Sequence, residues 1–138
     1  MATKATIQPK KTWQKLLIYW RTKNFSRQVY DIALILAVAI YTNREIYEEE
    51  LQQARLTLEE LLKDQDSADE IMDYIEMKVL QYTNDEMLWQ KDQQKIRKLV
   101  EKDEDLYTFL LDIFEADDKV DEEEMLFETS LKTAMLRR

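Results

Sequence analysis

The sequence predicts an all-α protein, and three observations carry that reading. The 138 residues contain no glycine and one proline, Pro9, which removes the phosphate loops, dinucleotide turns and tight hairpins that depend on glycine. Apolar residues recur at helical spacing through most of the chain. Three capping boxes, Ser67/Glu70, Thr83/Glu86 and Asp121/Glu124, mark helix starts, because a side-chain oxygen and a carboxylate three residues on satisfy backbone donors left over at a helix end. A chain of this length buries roughly two-thirds of its unfolded surface around one core, so a single domain of about seven helices is expected.

Residues 1–10 read as a loose arm, followed by a helix from about Lys11 to Lys23 that ends at Asn24 and Ser26. Ile32–Tyr41 is an unbroken apolar run, too short for the ~20 residues that span a bilayer and suited to a helix buried on nearly all sides. After Thr42-Asn43-Arg44, a helix from about Tyr47 to Lys63 carries Leu51, Ala54, Leu58, Leu61 and Leu62. Further helices are expected over about 67–82, 85–101, 104–116 and 121–136, with Met72, Met77, Met87, Met125 and Met135 filling gaps in their core. No strand is needed.

With 45% apolar and 36% charged residues the chain is too hydrophobic for disorder and too charged for a membrane-spanning bundle. The absence of Cys and His removes thiolate chemistry, Ser-His-Asp catalysis and zinc fingers, so any metal is held by oxygen; no organic cofactor and no enzymatic activity are expected. Leu16–Trp20 is too short for a secretory signal, which places the protein in the cytoplasm. The net charge of −9 is unevenly spread: residues 1–30 hold seven bases and no acid, leaving −16 on the remainder. Such a body repels phosphate, which argues against nucleic acid as a partner.

Shifting the chain by 74 positions lays Asp31 on Asp105, Ile32 on Leu106, Ile35 on Phe109, Leu36 on Leu110, Ile46 on Val120, and Glu48-Glu49-Glu50 on Glu122-Glu123-Glu124. Two helical hairpins, about 29–64 and 103–138, related by a pseudo-twofold axis and bridged by 67–101, are expected. In the second, Val120, Phe127, Leu131 and Ala134 form an apolar stripe whose missing slot is Glu124; in the first, Ile46, Ala54, Thr57 and Leu61 form the stripe and Glu50 fills the slot. Two equivalent carboxylates therefore point inward. Packed about a twofold axis, they approach each other beside Asn43, Asp117 and Asp121. Such a pair must be protonated, paired with Arg44 or Lys119, or neutralised by a cation, and these oxygen ligands suit a hard divalent ion such as Ca²⁺, Mg²⁺ or Mn²⁺. Ordinary helix capping is the competing account of the same acids. An EF-hand beginning at Asp117 fails, with Lys119 at its third ligand position and Glu122 where it requires glycine.

An apolar helix followed by A-D-G-x-[VI]-x-x-x-E, with a weaker copy in the other half, is the pattern of the TerB-like tellurite-resistance family, which includes the N-terminal domain of DjlA-type co-chaperones. Ala116, Asp117, Val120 and Glu124 match it, and Ile46 and Glu50 match the other copy. Asp118 stands in place of the glycine, and Thr42-Asn43-Arg44 in place of Ala-Asp-Gly. The resemblance covers about residues 27–136. It implies a helical domain with an acidic, metal-binding centre, acting without known catalysis in bacterial stress responses through protein partners, often in membrane-associated complexes.

Residues 1–26 form a separate basic and aromatic segment. Trp13, Tyr19 and Trp20 beside Lys10, Lys11, Lys15, Arg21 and Lys23 suit an anionic membrane surface, which would place an adaptor protein at the periphery of the inner membrane. The competing expectation is that this helix buries its indoles against the acidic body. The sequence leaves the oligomeric state open.

Overall fold

A computed structural model describes residues 3–116 and 122–136. Within them lie seven α-helices: α1 (Thr12–Thr22), α2 (Arg27–Tyr41), α3 (Glu48–Leu62), α4 (Gln65–Asn84), α5 (Glu86–Lys102), α6 (Tyr107–Glu115) and α7 (Glu122–Leu136), with a 3-10 turn at Glu104–Leu106 ahead of α6. The all-α class holds, and no helix among the described residues is long and apolar enough to cross a membrane.

The fold is built around α2. Every residue from Ile32 to Tyr41 is buried, because α3, α4, α5 and α6 all pack against this helix. Fully burying each of its large aliphatic side chains stabilises the fold by about 1.5–3 kcal/mol, which makes an apolar run without a polar face the natural centre of the molecule. The amphipathic helices supply the shell: Ile71, Ile75 and Val79 from α4, Trp89, Ile96 and Val100 from α5, and Leu110, Ile113 and Phe114 from α6. Helix α7 packs on α5 through Phe127 and Leu131.

Several expectations are corrected. The N-cap of α4 is Asp64, whose carboxylate accepts from Asp66 N–H and also from the Ser67 hydroxyl at 2.7 Å; Ser67 lies within the helix. The N-cap of α5 is Asp85, accepting from Leu88 N–H at 3.0 Å, while Thr83 belongs to the last turn of α4 and donates to the Leu80 carbonyl. The Asp121 cap lies outside the described residues. Met72 and Met77 are buried as expected, but Met87 and Met125 face solvent. Nor are residues 3–7 a loose arm. Ala5 N–H donates to the Ile46 carbonyl at 2.8 Å, Glu48 N–H donates to the Thr3 carbonyl at 2.7 Å, and Ile7 enters the core. These hydrogen bonds form a short antiparallel bridge between Lys4 and Tyr47.

Helix α1 docks on α4 by burying Ile18 and Thr22, with Tyr19 edge-on to Tyr74. The indoles are not part of that contact. Trp13, Leu16 and Trp20 are 60%, 65% and 64% exposed.

Candidate functional site

Glu50 and Glu124 are both fully buried, at 0% exposure. Glu50 is the third residue of α3, and Glu124 lies among the first described residues of α7. The helices before them, α2 and α6, end at Tyr41 and Glu115, which are 74 residues apart. The paired positions Ile32 and Leu106, and Leu36 and Leu110, are likewise buried, whereas Ile35 is fully buried and Phe109 only partly so. The expected stripe on α3 holds through Glu50, Ala54 and Thr57 and departs at its last position. Ala54, Thr57 and Leu58 are buried and Leu61 is largely exposed.

The other predicted site residues divide into two groups. Asn43 is half-buried, and its Oδ1 accepts from Glu45 N–H at 3.1 Å, so its side chain shapes the turn between α2 and α3. Asp117 and Asp121, together with Lys119, lie outside the described residues. Among the described residues no group of three or more acidic side chains is arranged to hold a metal ion.

Arg44 is engaged by an acid on α5. Its backbone takes a left-handed conformation, φ 66°, and its guanidinium reaches α5 to form a bidentate pair with Glu86 at 2.7 and 2.9 Å. It also lies over the rings of Tyr41 and Trp89, at 5.6 and 5.4 Å. This contact holds the Glu86 carboxyl below its ordinary range and raises Arg44 further above its own. The N-terminal segment clamps the same turn from the other side. Thr3 N–H donates to the Glu49 carboxylate, which lowers that carboxyl, and Lys4 pairs with Glu45 at 3.3 Å.

Compared with protein families, curated proteins and solved structures, the chain matches none.

Two further polar features were not expected from the sequence. Asp92 is buried between α4 and α5, accepting from the Tyr82 hydroxyl at 2.6 Å and from Lys78 Nζ at 3.0 Å. Burial, followed by the Asp92 contact, pushes the Tyr82 phenol far above its ordinary range, so Tyr82 remains a proton donor to the carboxylate. Asp92 fills a slot in the apolar stripe Trp89, Ile96 and Val100, so the stripe argument applied to Glu50 and Glu124 would have found it as well. A basic ridge, Lys91, Lys95, Lys98 and Lys102, runs along α5 at helical spacing, and the last three line a cleft with Arg27, Tyr30 and Tyr74. Its signal was in the sequence, hidden by the acidic net charge of the segment after residue 30.

Proposed function

We propose that this chain is a TerB-like, non-enzymatic binding module of the stress-response type, with an internally duplicated helical hairpin. Each half contributes one buried glutamate to an acidic centre that takes a divalent cation. What supports this reading is that Glu50 and Glu124, 74 residues apart in the sequence, are both fully buried, the first in the opening turn of α3 and the second among the first described residues of α7. Carboxylates at such positions require compensation, because an ionised group moved out of water without it costs several kcal/mol. Asp117 and Asp121, which match or adjoin the motif on the turn before Glu124, complete the proposed ligand set, and Asn43 orders the equivalent turn.

The test is thermal unfolding of the wild type and of Glu50→Gln plus Glu124→Gln, with chelator and with Ca²⁺, Mg²⁺ or Mn²⁺ at fixed ionic strength. A cation that binds only the folded state at about a hundredfold excess over Kd adds about 2.7 kcal/mol, a rise of several degrees in Tm. The wild type should show that rise for at least one ion and the double variant should not. Ion-independent melting of both proteins would leave an adaptor module whose acidic turns only cap helices.

A further inference from the structure

We propose that α1 is a membrane-docking helix, seating this protein on an anionic phospholipid surface through Trp13, Leu16 and Trp20 framed by Lys15, Arg21 and Lys23. At ~100° per residue those three apolar side chains fall within about 60° of one another on the helix, opposite Ile18 and Thr22. Docking on α4 therefore leaves a complete apolar stripe turned outward, rather than scattered single residues. Lys15 and Arg21 flank the stripe on its two sides, and Lys23 Nζ lies 5.5 Å from the centre of the Trp20 ring. None of these three bases forms an ion pair with a described residue. Indoles beside long basic side chains are the chemistry of a membrane interface, where the ring sits among headgroups and the cation reaches lipid phosphate. An 11-residue helix is only ~16 Å long, so it lies in the surface and does not cross it.

Charge complementarity selects the anionic lipid surface over other occupants. The segment after residue 30 carries −16 and is repelled by anionic lipid, which turns the basic side forward on approach. That side continues beyond α1. The contacts of Tyr74 with Tyr19 and Tyr30 lead into the cleft between α2, α4 and α5, where Arg27, Lys95, Lys98 and Lys102 meet one acid, Asp31. A second copy docked through the same face would set these like charges against each other.

The experiment uses the full chain with vesicles of phosphatidylcholine alone and of phosphatidylcholine with about one-third phosphatidylglycerol. Cosedimentation and a blue shift of tryptophan emission are expected only with the anionic vesicles; Trp89 is buried and acts as a silent background. Trp13→Ser plus Trp20→Ser, and separately Lys15→Glu plus Arg21→Glu plus Lys23→Glu, should each weaken partition by about tenfold or more while far-UV circular dichroism and Tm stay unchanged, because all five side chains are exposed. Absence of partition, or partition unaffected by both sets of substitutions, overturns the proposal. So does a concentration-dependent dimer, seen by light scattering and abolished by the tryptophan substitutions, in place of vesicle binding.

Discussion

Glu76 is half-buried on α4, and burial is the main cause that raises its carboxyl above the ordinary 4.5, against the opposing pull of Lys10. A raised folded-state value means that folding favours the protonated form. Its contribution to stability is therefore complete below pH 4.5 and is lost as pH rises through the folded value. Glu45, Glu49 and Glu86 behave in the opposite sense. Their carboxyls are lowered, first by the Tyr47 hydroxyl, the Thr3 N–H and Arg44 respectively, so their contribution is present above 4.5 and lost as pH falls. Glu76→Gln should accordingly raise Tm at pH 7, with the gap to wild type narrowing as pH falls through the folded-state value and closed below 4.5. Thermal melts at pH 7 and pH 4 check this, and an equal gap at both would show that burial of the charge is not the cause. The absence of glycine is also felt at single residues. Arg44 and Lys63 occupy left-handed backbone conformations, φ 66° and 54°, that glycine would adopt without steric cost.

Helix boundaries follow a competition among neighbouring caps that a pattern search does not resolve. Asp64 lies three residues ahead of Ser67, and its carboxylate, the stronger acceptor, takes both a backbone N–H and the serine hydroxyl. Asp85 displaces Thr83 in the same way, two residues further along. Asp85→Ala should therefore destabilise the protein by about 1 kcal/mol, the usual cost of a lost N-cap, whereas Thr83→Ala at its exposed position should stay within about 0.5 kcal/mol. Chemical denaturation of the two variants checks the assignment, and the reverse order would restore Thr83 as the cap. Asp92 shows a related limit on α5. Its stripe position was legible, but which donors meet it depended on where α4 places Tyr82 and Lys78.

At the scale of the whole molecule, residues 3–26 are attached to the body at two places. Residues 3–7 bridge the start of α3 and insert Ile7, while α1 packs on α4 through Ile18. Burial of two isoleucines stabilises the fold by about 3 kcal/mol or more, so a chain beginning at residue 27 should melt several degrees below the full chain. An unchanged Tm would show that the N-terminal segment is an independent arm. The vesicle experiment tests the outward face of α1, and this truncation tests its inward one.

The all-α class, the central helix and the approximate extent of each helix were determined by the sequence alone. Hydrophobic periodicity, the lack of glycine and the apolar run Ile32–Tyr41 act locally and leave few alternatives. The inward slots of Glu50 and Glu124 were legible for the same reason, since a carboxylate in an apolar stripe is a local violation of pattern. The tertiary structure decided what was not local: that Arg44 crosses to Glu86, that Asp92 meets Lys78 and Tyr82, and that α1 buries Ile18 while leaving both its indoles in solvent. Helical periodicity names the apolar faces of a helix, but only the area offered by neighbouring helices determines which of two competing faces is covered.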